Sequence, residues 1–109
     1  MAVSVIIRRT FSDPEKATQL APLIVKMRSQ ATIQPGYITG RTFRCLDCAG
    51  EYLVISTWDR VEDWQRWLGS PERRSLQQQI DAILDETTEY HVYEPLVGGI
   101  SPAHRPAAG

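Results

Sequence analysis

Apolar residues fall into two rhythms along this chain. Short runs rich in β-branched residues lie at 2–11 (AVSVIIRRTF), 37–46 (YITGRTFRCL), 51–58 (EYLVISTW) and 87–94 (TTEYHVYE), and each predicts a strand. Between them, Ala17, Leu20, Ala21, Ile24, Met27 and Ala31 recur at helical spacing. Val61, Trp64 and Leu68 do the same, with Trp67 beside their stripe, and then Leu76, Ile80, Ile83 and Leu84.

Turn and cap residues separate these stretches. Ser12-Asp13-Pro14-Glu15 opens the first helix with a capping oxygen, an early proline and a returning glutamate. Pro22 lies inside that helix and is expected to kink or split it. Gln34-Pro35-Gly36 ends it, and Asp47-Cys48-Ala49-Gly50 makes a hairpin loop between the second and third strands. Asp59 with Glu62 reads as a capping box, and Gly69-Ser70-Pro71 stops one helix and starts the next.

The expected order is β-α-β-β-α-β with the second helix broken in two. That is an α+β, ferredoxin-like plan: a four-stranded antiparallel sheet with helices on one face. One domain is expected over 1–96, followed by a flexible tail over 97–109 that is rich in Gly, Pro and Ala. Val5-Ile6-Ile7 and Leu53-Val54-Ile55 are apolar on both faces of their strands. Helices cover one face, so a second copy of the sheet is the expected cover for the other, which makes the chain a homodimer.

Composition narrows the partners. With 109 residues, 12 Lys plus Arg and 13 Asp plus Glu, the net charge is -1. That balance offers no long-range attraction to nucleic acid or an anionic membrane, and neither partner is expected. No apolar run approaches the ~20 residues that span a bilayer, and the N-terminus lacks signal-peptide order. The expected compartment is the cytoplasm. Metal, flavin and nucleotide motifs are absent, so no cofactor and no metal are expected.

The chain resembles the antibiotic biosynthesis monooxygenase domain family over about residues 2–95. The resemblance rests on Gln34-Pro35-Gly36-Tyr37, on Tyr52-Leu53-Val54-Ile55-Ser56-Thr57-Trp58, and on Glu62-Asp63-Trp64…Trp67-Leu68-Gly69-Ser70-Pro71. It implies a ferredoxin-like protomer paired into a dimeric α+β barrel. It also implies cofactor-independent oxygenation of phenols, quinol oxidation or haem degradation, as in known members. The haem-degrading branch uses an Asn, a Trp and a His. Trp67 stands at its Trp position, Gln77 stands at its His position, and the chain contains no Asn, which argues against haem degradation by that route. Many oxygenase relatives carry a His near the position of Trp67, which here is aromatic.

Several residues then carry competing readings. Trp58 and Trp64 read as core, while Trp67 lies off the apolar stripe and is the candidate wall of a substrate site. His91 is the histidine of the folded region and the candidate base; strand alternation puts it on the face of Tyr93, and its ordinary reading is a sheet or interface residue. His104 lies in the tail. Arg8, Arg9, Arg41 and Arg44 line one region of the sheet if the first two strands are neighbours, with Arg44 the candidate to hold a substrate phenolate or carboxylate. Their ordinary reading is surface ion pairing. Cys45 and Cys48 read as loop thiols, with a reversible disulfide as the functional exception. Arg73 and Arg74 read as the wet face of a helix.

Two functions follow. The leading one is a monooxygenase-like enzyme acting without cofactor on a small aromatic, phenolic or quinol substrate. The other is a non-catalytic dimeric module on the same fold that binds or senses a small molecule.

Overall fold

The computed structural model describes residues 1–84, 87–96 and 98. The expected tail over 97–109 lies outside the described residues except for Gly98, as does His104. The elements are β1 (Val3–Thr10), α1 (Glu15–Ala31), β2 (Tyr37–Arg44), β3 (Glu51–Trp58), α2 (Val61–Leu68), α3 (Pro71–Asp81) and β4 (Glu89–Tyr93). The four strands form one antiparallel sheet in the order β2-β3-β1-β4. This is the ferredoxin-like α+β fold expected from the pattern, with the second helix divided at Gly69-Ser70.

Side-chain alternation sorts the sheet into two faces. Along β1, Val3, Val5, Ile7 and Arg9 are buried under the helices, while Ser4, Ile6, Arg8 and Thr10 point the other way. The register places Tyr52, Val54, Ser56 and Trp58 of β3 on the helix side. It places Leu53 and Ile55 with Ile6 on the helix-free side. The core joins the buried β1 residues to Leu20 and Met27 of α1, Trp64 and Trp67 of α2, and Leu76 and Ile80 of α3. Apolar side chains therefore do sit on both faces of the central strands, as the pattern predicts.

Two local expectations are corrected and a third holds. Pro22 does not split α1, which runs unbroken through it. Pro22 is exposed, so the carbonyl it leaves unbonded faces water, where a helix tolerates the loss best. The Asp59–Glu62 capping box does not form. Asp59 instead donates its backbone N–H to the Gly36 carbonyl (2.7 Å), and α2 starts after Arg60 without a side-chain cap. At Gly69-Ser70-Pro71 the expected cap is present: Ser70 Oγ accepts the Arg73 backbone N–H at 3.2 Å.

Gly36 explains how the β2 entry and α2 come together. Its φ of +85° suits glycine, and a Cβ there would collide with the carboxylate of Asp63. Asp63 is buried against this turn. Its Oδ1 accepts from Arg66 at 3.3 Å and from Arg60 at 3.4 Å, so both arginines share the charge. The turn after α1 and the first turn of α2 are thereby locked together, which sets the height of Trp64 and Trp67 above the sheet.

Candidate functional site

A cavity of about 50 Å³ lies between the helix side of the sheet and the three helices. Ile7, Val54, Ser56 and Trp58 form its floor, Ile24, Met27 and Ala31 of α1 one wall, and Trp64 and Trp67 of α2 another. Trp67 is buried and lines this space, although sequence spacing sets it off the apolar stripe. α2 is only eight residues long and sits in a corner between sheet and α3, so a wider arc of its surface is covered than one stripe. The aromatic rings are mutually braced: Tyr37 meets Trp58 edge-on at 5.3 Å, and Trp58 lies 5.9 Å from Trp64.

At the exposed rim, Arg28 Nη2 of α1 donates to the Gly40 carbonyl of β2 at 2.9 Å. This bond clasps α1 to β2 across the mouth. Tyr37 lies directly against Gly40, where any side chain would meet its hydroxyl. Cavities that hold a benzene ring measure about 150 Å³. The site as it stands holds a few waters at most, less than a ring needs.

Four arginines border the same cavity; Arg28 and Arg41 are exposed, while Arg9 and Arg73 are each only 2% exposed. Arg9 projects from β1 on the helix side; its Nη2 donates to Gln77 Oε1 (3.1 Å) and lies 3.4 Å from Met27 Sδ. Arg73 projects from the first turn of α3. Its Nη2 donates to the Tyr90 hydroxyl at 3.1 Å, and its guanidinium stacks 5.1 Å from the Tyr90 ring and 5.3 Å from the Trp64 ring. Neither Nε has a hydrogen-bond partner, and among the described residues no carboxylate pairs with either guanidinium. Burial pushes the Arg9 pKa down to about 10; the neighbouring Arg73 charge adds to the fall, while Tyr90 and Asp81 oppose it. Gln77 passes the Arg9 contact on, donating through Nε2 to Asp81 (2.8 Å) and Thr88 (3.0 Å).

The residues singled out in the sequence are thus divided. Trp67 lines the cavity, but His91 pairs with Ile6 on β1, on the helix-free side, and is exposed. One protomer does not bring His91 and Trp67 together. Arg44 lies at the exposed end of β2 and does not line the cavity. β3 separates β1 from β2, so Arg8, Arg9, Arg41 and Arg44 do not form one group, although Arg9 and Arg41 both border the cavity. Arg8 occupies the helix-free side and bridges Glu51 (2.7 Å) and Glu89 (2.6 Å), and those hydrogen bonds raise its pKa. Arg73, expected on a wet helix face, is instead deeply buried.

Cys45 and Cys48 are also corrected, since they form a disulfide across the β2–β3 hairpin loop. Glu51 lies close enough to make a three-ligand group with them, but the two sulfurs are bonded to each other.

A helix-covered antiparallel sheet with a tryptophan-walled cavity defines a small α+β protein built around an enclosed aromatic site. A model described as antibiotic biosynthesis monooxygenase matches residues 2–79, and the chain belongs to that family. Among solved structures it is similar to SnoaB, a cofactor-independent oxygenase from Streptomyces nogalater. That likeness has 19% identity and a TM-score of 0.73, covering 87% of this chain and 93% of that one. It is also similar to Rv0793 from Mycobacterium tuberculosis, at 21% identity and a TM-score of 0.77 over 88% of this chain and 96% of that one. A conserved protein from Methanosarcina mazei Go1 gives 17% identity and a TM-score of 0.78, over 85% and 91%. At these identities the likeness concerns the fold. No curated protein matches the chain. No helix among the described residues is long and apolar enough to cross a membrane.

Proposed function

We propose that this chain is a cofactor-independent, monooxygenase-like enzyme acting on a small aromatic, phenolic or quinol molecule. The observation that carries the reading is the cavity walled by Trp58, Trp64 and Trp67 in a member of a monooxygenase family. Such a wall packs against a flat ring and excludes water from its reactive carbon. In this chemistry an ionised phenol or quinol donates electrons directly to dioxygen. A methylene activated by the ring becomes a carbonyl; one oxygen atom enters the product and the other leaves as water. A substrate in the cavity arrives already ionised, because no carboxylate or imidazole lines the space. His91 serves as base only for a substrate on the helix-free face.

The test is oxygen uptake with a panel of anthrones and quinols and no added cofactor. Uptake is expected with at least one of them, and Trp67→Ala should lower it at least tenfold, on the order of the loss caused by misplacing a bound substrate. Uptake by none of the panel removes the proposal.

The small cavity volume and the absence of a base in its lining favour a second reading, a non-catalytic module that binds or senses a small molecule. Thermal stabilisation by a ligand without turnover would distinguish it.

The same proposal includes a homodimer. Ile6, Leu53 and Ile55 are only partly covered on the helix-free side, and Phe43 of β2 is exposed there with them. A second sheet packed on this face would remove them from water. Sedimentation at micromolar concentration should return twice the mass of one chain; a single-chain mass rejects the dimer. A cytoplasmic location belongs with this reading, and there the Cys45–Cys48 pair is expected to be reduced.

A further inference from the structure

Buried guanidinium groups are ordinarily neutralised by carboxylates or fully hydrogen-bonded. Among the described residues, Arg9 and Arg73 meet neither condition. Both are buried, both keep an unpartnered Nε, and both border one cavity in which Ile7, Ile24, Met27, Val54 and the three tryptophans supply the apolar walls. They come from different elements, β1 and α3, yet the Arg73 charge helps to lower the Arg9 pKa. Two like charges held close in a dry space repel, so the fold maintains an arrangement that an incoming negative charge would relieve.

We infer that Arg9 and Arg73 form an anion-recognition subsite, so that the ligand of this cavity is an aromatic molecule carrying a carboxylate or an ionised phenolic oxygen. The inference names the substrate class of the proposed aromatic site and rests on that reading for the ring alone. The two guanidiniums have different tasks in it. Arg73 is stacked between Trp64 and Tyr90, which fixes the plane of its fork, and Tyr90 takes only one of its donors. Arg9 is held through Nη2 by Gln77 and Met27, and its Nε has no partner and can meet an oxygen. Trp64 and Trp67 then meet the ring while the two forks meet the charged oxygen. Arg28 at the exposed rim is a less effective handle, because its Nη2 is spent on the Gly40 carbonyl and its charge is hydrated.

The experiment compares two probes of nearly equal shape, benzoate and benzyl alcohol, by tryptophan fluorescence and thermal shift. The parent should bind benzoate at least about tenfold more tightly, the difference made by a charge-assisted hydrogen bond. Arg9→Met and Arg73→Met should each bring the two affinities to within about threefold. Each variant is first shown to be folded by its circular dichroism and cooperative melting. Equal affinity for the probes in the parent, no benzoate binding at millimolar concentration, or undiminished selectivity in both variants overturns the inference. Binding is read without turnover. Retained selectivity with no oxygen uptake therefore defeats only the oxygenase reading, and uptake without selectivity defeats only the anion subsite.

Discussion

Replacing Trp58 with alanine should cost about 3–5 kcal/mol of folding stability. Trp58 is 1% exposed and closes β3, where its backbone pairs with Val3 on one side and Tyr37 on the other. Its ring contacts Tyr37 edge-on and Trp64 at a tilt, and its Nε1 donates to Ser56 Oγ at 3.1 Å. Deleting the ring leaves a large hole, removes both aromatic contacts and strands a buried serine hydroxyl. The surrounding backbone cannot collapse into the space, since β3 is held by strands on both sides. A domain of this size has only about 5–15 kcal/mol to lose. The melting temperature should fall by about 20 °C, and the urea midpoint should fall in proportion. A loss below about 1.5 kcal/mol would mean that Trp58 is a pliable wall of the cavity rather than its frame.

The strand pattern was legible because its causes are local. β-branched runs bounded by Gly, Pro and Asp set β1 to β4 within a few residues, and β3 matches its expected bounds of 51–58. The Ser70 cap was legible for the same reason. What failed depended on contacts that spacing alone does not show. Asp59 resembles a cap, but its N–H is taken by Gly36 and the helix begins later. The disulfide depends on how the hairpin loop brings Cys45 to Cys48.

The arginines are the instructive case, because their signal was present and outweighed by residue type. Val3, Val5 and Ile7 place Arg9 next in the buried alternation of β1. Arg73 stands three residues before Leu76 and seven before Ile80, on one stripe of α3. Reading charge as surface hid both. Periodicity sets the direction of a side chain whatever its polarity, and a polar residue on an apolar stripe marks a place where function opposes packing. His91 is the opposite example. Its face was read correctly from alternation, and that same face takes it away from the cavity.

Replacing Arg9 with methionine should leave the protein at least as stable as the parent at pH 7, and about 1–2 kcal/mol more stable if neighbouring groups adjust. The ordinary expectation for a residue so deeply buried in a packed core is a loss. Here the side chain carries a charge that folding removes from water without a carboxylate to balance it. Burial lowers its pKa from the ordinary arginine value to about 10. That difference corresponds to roughly 3 kcal/mol of strain on the folded state. Against the relief stands Gln77 Oε1, which loses its donor at a cost of about 1–3 kcal/mol. Methionine retains most of the stem that packs beside Met27, so little cavity is created. The sign with pH follows from the lowered pKa. The strain is present in full below pH 10, because both states are then protonated. Above pH 10 the unfolded chain still binds the proton that the folded chain loses, and the stability of the parent rises relative to the variant. Urea unfolding of both proteins at pH 7, 9 and 11 should therefore show the variant ahead at pH 7 and the gap narrowing by pH 11. Lysines and tyrosines common to both proteins cancel in the difference. A variant more than about 1 kcal/mol less stable than the parent at pH 7 would show that Arg9 holds the fold together, and its unpaired charge would then need no ligand to explain it.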